Sequence, residues 1–190
     1  MSGLPGDGAG RQRSRFTRVM LYNDPSGLLS FWYSAEWQLQ VESEPLPRVR
    51  LTPDVRDPDT HMAIAVSDLG APLAPGEQPA VLEGVREGLA QLDRCEVHSL
   101  GEIAVGSLWG VEWRCSFDVA DRRCWRRGRL FFSDRYQYAV VFQGSTEERF
   151  GYWRGMFEWT MLTVGTGSFD AQRWLADHRL GLESSTGERK

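Results

Sequence analysis

Ser107-Leu108-Trp109-Gly110-Val111-Glu112-Trp113-Arg114-Cys115-Ser116-Phe117-Asp118-Val119 is the stretch that decides the fold. Trp109, Val111, Trp113, Cys115, Phe117 and Val119 alternate with Gly110, Glu112, Arg114, Ser116 and Asp118. A period of two sends successive side chains to opposite sides, so these residues predict a long half-buried strand. An Ala120-Asp121-Arg122 turn leads into a second strand over 125–133, and a Ser133-Asp134-Arg135 turn into a third over 136–143. Three strands joined by such short turns form an antiparallel meander.

Upstream, strands are expected over 18–22, 28–33, 36–42 (Trp37, Leu39 and Val41 inward), 49–51, 61–69 (Met62, Ile64 and Val66 inward) and 95–103. All nine prolines lie at or before Pro79, which breaks the first half into short pieces. Pro79 suits the first turn of a helix whose stripe is Val81, Val85, Leu89 and Leu92. Downstream, Ser145 and Glu148 predict a capping box that opens a helix to about Met161, with Phe150, Trp153, Phe157 and Met161 inward. These elements make an α+β fold, a mostly antiparallel sheet with helices packed on one face. One domain is expected over 16–165. Residues 1–15 form a disordered Gly/Arg-rich tail, and 166–190 an extension with a short helix and a disordered end.

Composition bounds the function. The 190 residues are 41% hydrophobic and 25% charged, ordinary for a globular chain with one sizeable core. A net charge of -4 argues against bulk nucleic-acid binding. No apolar run is long enough for a secretory signal or a transmembrane span, so a cytoplasmic location is expected. Cys95, Cys115 and Cys124 are odd in number and lack CxxC spacing, which reads as free thiols. Eight tryptophans exceed what such a core needs, and some are expected where something docks.

Phe31-Trp32-Tyr33-Ser34-Ala35-Glu36-Trp37 resembles the "F-x-Y-P-x-x-W" opening of PsbP-like proteins, with Ser34 in place of the usual proline. The strand over 62–69, a helix ending in Gly88-Leu89, Gly106-x-x-Trp109-Gly110, the run Tyr138 to Phe142 and a helix carrying Phe150 and Phe157 follow the same layout. Over about residues 18–165 the chain resembles the PsbP-like family and its cytoplasmic bacterial cousins, the DcrB-type and Eag secretion chaperones. The resemblance implies a sandwich fold and a mostly non-catalytic role, docking on larger assemblies, a small GTPase or apolar segments of secreted effectors.

Candidate sites come from local clusters. Arg122, Arg123, Arg126, Arg127 and Arg129 crowd around Trp125. Three readings stand open: a guarded edge strand, a contact for an acidic protein surface or anionic head group, and a contact for nucleic acid. Tyr152, Met156 and Trp159 form a second stripe on the last helix, where Gly151 and Gly155 permit close approach. Either a partner or the segment bearing Trp174 covers that stripe. Asp54, Asp57, Asp59 and His61 suit a turn or a metal, and Cys95 with His98 is half a zinc site, so no metal or cofactor is assigned. No nucleophile elbow, Walker loop, HExxH or dinucleotide fingerprint occurs, and Glu112 and Asp118 stand about 20 Å apart along one strand, too far for an acid–base pair. The expectation is a non-catalytic binding, adaptor or chaperone-like factor for a partner with an acidic surface or apolar segment. A nucleic-acid accessory using the arginine hairpin and a small α+β enzyme are the alternatives.

Overall fold

The alternating stretch becomes a twelve-residue strand inside a seven-stranded sheet. The computed structural model describes residues 17–42, 45–105 and 108–166. In chain order these form β1 (Val19–Asn23), β2 (Leu29–Ser34), β3 (Gln38–Glu42), β4 (Arg48–Thr52), β5 (His61–Asp68) and α1 (Gln78–Ala90). Then follow β6 (Glu96–Val105), β7 (Leu108–Val119), β8 (Arg122–Ser133), β9 (Tyr136–Gly144), α2 (Glu147–Leu162) and β10 (Gly165–Thr166). The expected tails, with Trp174, lie outside the described residues.

The large sheet has the order β3-β4-β5-β9-β8-β7-β6, and β1-β2-β10 form a small second sheet. Every pairing is antiparallel. The expected meander is therefore present and extended at both sides. Ala120 and Asp121 both adopt positive φ (47° and 63°), so the β7–β8 hairpin closes on two residues with the twist its strands require. The sequence pattern ends the compact unit at Gly165. Gly165 and Thr166 instead pair with Ser30 and Leu29, adding a short strand to the small sheet.

The sheet is apolar on both faces, but in different regions. On one face Met62, Ile64, Val66, Tyr138, Val140 and Phe142 meet Phe31 of β2 and Phe150, Met156, Phe157 and Met161 of α2. Trp37 closes this core edge-on to Trp153 (6.1 Å between centroids) and tilted on Phe157 (5.1 Å). On the other face Trp113, Cys115, Phe117 and Cys124 are covered by Val85 and Leu89 of α1 and by Leu92. The α+β antiparallel sandwich is as expected, with one difference: the two helices lie on opposite faces. The odd positions of β7 and the even positions of β9 carry apolar side chains on opposite sides, and each patch takes its own helix.

Two local readings change. Thr146, not Ser145, caps α2, its hydroxyl accepting from the Arg149 N–H at 3.2 Å. Ser145 is buried, its hydroxyl donating to Asp57 (2.9 Å) and its N–H to Thr60 Oγ1 (3.0 Å), which ties the end of β9 to the loop before β5. The strand over Leu39 and Val41 is an exposed edge rather than half-buried, with Val41 41% exposed.

Candidate functional site

Strand alternation splits the arginine hairpin between the two faces. β8 lies between β7 and β9, so it is an inner strand and not a guarded edge. Arg122 pairs with Asp59. Arg123 reaches Glu96 (3.1 Å), Asp118 (3.3 Å) and the Arg94 carbonyl (2.6 Å). Arg126 has no carboxylate among the described residues. Its guanidinium donates to Gln143 Oε1 (3.1 and 2.6 Å) and lies 4.3 Å from the Phe117 ring centroid, and burial lowers its pKa. The five arginines are thus engaged inside the fold rather than forming a bare positive surface.

Arg127 and Arg129 point to the α2 face and build a different site. Arg127 donates to both oxygens of Glu112 (2.9 Å each) and to Glu158 of α2 (2.5 Å), and Arg129 also pairs with Glu112. Burial opposes the ionised form of Glu112, but the hydrogen bonds from Arg127 and Arg129 outweigh it and hold the carboxyl below its ordinary pKa. Beside this network, between α2 and strands β6 to β8, lies a cavity of about 210 Å³ lined by Ser99, Glu112, Arg114, Arg127, Phe150, Arg154 and Glu158.

A β-bulge between Val97 and Ser99 interrupts β6 where Ser99 joins the lining. His98 stacks on Trp125 (4.8 Å, 11°) and lies 3.0 Å from the Ser116 hydroxyl. Arg114 lies nearby, its guanidinium carbon 5.5 Å from the Trp125 and Phe150 ring centroids. Trp125 is therefore half-buried within the fold, not projecting from a hairpin tip. The sequence reading missed Arg114, Arg154 and Glu158. Arg114 stood out only as one polar position of an alternating strand, and Arg154 and Glu158 lie on a helix with no local link to β8.

The second α2 stripe also divides. Met156 belongs to the core, while Tyr152 and Trp159 are half-buried on the flank. Gly151 and Gly155 face open space: a Cβ at either position would meet no atom within 4 Å. Leu162, 56% exposed, continues that outer surface.

The acidic loop does not converge. Asp54 pairs with Arg56 (3.0 Å), Asp57 accepts from Thr60 (2.7 Å) and Ser145, and Asp59 pairs with Arg122. Burial pushes His61 down to about 4, with Arg50 adding to the effect, and its Nδ1 lies 3.2 Å from Arg50 and 3.1 Å from the Asp59 carbonyl. Cys95 is half-buried, and Cys115 and Cys124 are buried. Burial, with Cys95 adjacent, pushes the Cys115 thiol up to about 12. Among the described residues no three His, Cys, Asp or Glu side chains gather as a metal site requires, and no helix is long and apolar enough to cross a membrane.

No protein-family model and no curated protein matches the chain. Solved structures do. Cyanobacterial PsbP (CyanoP) from Synechocystis superposes with a TM-score of 0.53 at 12% identity, covering 78% of this chain and 92% of that one. LpqN, involved in cell envelope biogenesis of Mycobacterium tuberculosis, gives 0.54 at 10% identity, covering 77% and 89%. A Bacteroides thetaiotaomicron structure gives 0.52 at 12% identity, covering 77% of this chain and 47% of that one. The antiparallel sandwich, the helices α1 and α2 and these superpositions together establish that the chain has the PsbP-like fold.

Proposed function

We propose that this protein is a non-catalytic binding or assembly factor of the cytoplasm, an accessory subunit or chaperone that holds an apolar segment of another protein against the outer surface of α2. The observation that carries the reading is the composition of that surface. A helix lying on a sheet ordinarily turns charged residues outward. Here Glu147, Glu148 and Arg149 are exposed in the first turn, but beyond it Gly151, Gly155 and Leu162 face outward, flanked by Tyr152 and Trp159 on one side and by Arg154 and Glu158 on the other. Two glycines four residues apart let a second backbone approach closely, and the adjoining aromatic rings supply apolar contact area.

The PsbP-like fold supports a binding role by analogy only. The hairpin arginines contribute less than their number suggests, because carboxylates and Gln143 inside the fold already occupy them. A photo-crosslinking residue at position 162 of the full chain tests the reading. In cells it should form an adduct with a second protein, whereas the same reporter at Arg86 on α1 should not. A crosslink confined to the chain's own C-terminal residues would overturn the proposal.

A further inference from the structure

We propose that the cavity beside α2 is a binding site for a small oxyanion, a carboxylate or phosphate group, with Arg114 as its anchoring cation. The proposal does not rest on the docking surface on the outer side of α2, although Arg154 and Glu158 border both.

Charge is the first argument. Arg114, Arg127 and Arg154 line this cavity and Arg129 pairs with Glu112 at its edge, while among the described residues its lining carboxylates are Glu112 and Glu158. The network leaves a surplus of positive charge inside a protein whose net charge is -4. That surplus centres on Arg114, which has no carboxylate within salt-bridge distance among the described residues. Its Nε is buried with no hydrogen-bond partner among the described residues. A buried donor ordinarily has an acceptor, and an oxyanion in the cavity would supply one.

Preorganisation is the second argument. Trp125 and Phe150 flank the Arg114 guanidinium at equal distance, 5.5 Å to each ring centroid. His98 backs Trp125, and Phe150 stacks on Phe142 in the core (4.9 Å). Held this way, the guanidinium loses little freedom on binding and presents a planar donor edge, the geometry that carboxylate and phosphate oxygens accept in pairs.

Size is the third. About 210 Å³ exceeds the room one water needs and falls below the ~300–1,000 Å³ of sites for drug-sized ligands. The site therefore suits an anion on the scale of inorganic phosphate or a four-carbon dicarboxylate. Exposed Ser99 and Arg154 lie on the solvent side and buried Phe150 at the core side, so an entry path exists.

Titration calorimetry of the full chain with sodium phosphate and, separately, with sodium succinate tests the site. Saturable binding of at least one probe is expected, and the probe that saturates names the oxyanion class. Arg114→Gln should weaken it about tenfold or more, by removal of the charge-assisted bonds. Should that variant fail to fold, Arg154→Gln decides, because its side chain is exposed and its loss should weaken binding severalfold without unfolding. Arg86→Gln on α1 should bind as wild type. Failure of both probes to saturate would overturn the proposal. So would binding undiminished in the folded Arg114 or Arg154 variant.

Discussion

Arg127 and Glu158 meet at 2.5 Å, and the same guanidinium holds both oxygens of Glu112, so one side chain of β8 fastens α2 to the strand beside it. Arg127 and Glu112 are each about a fifth exposed at the side chain (21% and 22%), and Glu158 is more open at 37%. The pairing with Glu112 is thus shielded enough to matter, while that with Glu158 is discounted by solvent screening.

Arg127→Met keeps most of the stem and removes the charge. Glu112 retains Arg129, and among the described residues Glu158 retains Arg154 at 3.8 Å. Urea unfolding should show a loss of about 1–2 kcal/mol, between the values for exposed and buried pairs. A loss below about 0.5 kcal/mol, the range of ordinary surface substitutions, would show that the network does not fasten the helix.

Gly128 and Gly155 should respond oppositely to alanine. A Cβ at Gly128 would stand 2.1 Å from the Trp113 ring, inside a closed part of the sheet. Gly128→Ala should therefore cost about 1–3 kcal/mol or more through overpacking. At Gly155, in the middle of α2, the added methyl meets nothing, and Gly155→Ala should stabilise by about 0.5–1 kcal/mol. Paired thermal melts decide both, and equal shifts of one sign would contradict the packing described.

His61 gives the fold a pH dependence. Its ordinary pKa of 6.5 falls to about 4 on folding, so between those values the unfolded chain binds a proton that the folded chain does not. Stability should be flat above pH 6.5 and decline towards pH 4, by an amount on the order of 3 kcal/mol. His61→Gln should flatten that window in denaturant titrations. Glu112 acts lower: its pKa is depressed by folding, so its contribution is present above about 4.5 and is lost as pH falls further. A wild-type curve level from pH 7 to 4 would contradict the burial of His61.

The thiols should separate by accessibility. Cys115 and Cys124 are buried and both have raised pKa values, chiefly through burial, whereas Cys95 is half-buried. A thiol reagent at neutral pH should modify one cysteine in the native protein and the other two only in denaturant. Rapid modification of all three in buffer would show that the α1 face is not packed as described.

The strand framework was legible because period-two patterning is local. Val111 to Phe117 and Met62 to Val66 announce their strands and their buried sides without tertiary information. The division of helices between faces was not legible, since Trp113 and Phe142 are equally apolar and nothing local says which face each strand shows to which helix. The cavity escaped for the same reason. Arg127 stood out only as one of five clustered arginines, and its partner Glu158 lies on a helix whose crossing of the sheet brings the two together. The clustering suggested a basic surface, whereas alternation on β8 sent those side chains to two faces and to internal partners.

The outer surface of α2 is the centre of the functional account, and Gly155→Arg tests it most directly. Position 155 faces open space, so the variant should fold and melt close to wild type. Affinity capture from cells with each full-length protein, quantified by mass spectrometry, should recover a partner with wild type and lose it with Gly155→Arg. The same partner recovered in equal amount by both proteins would contradict the account.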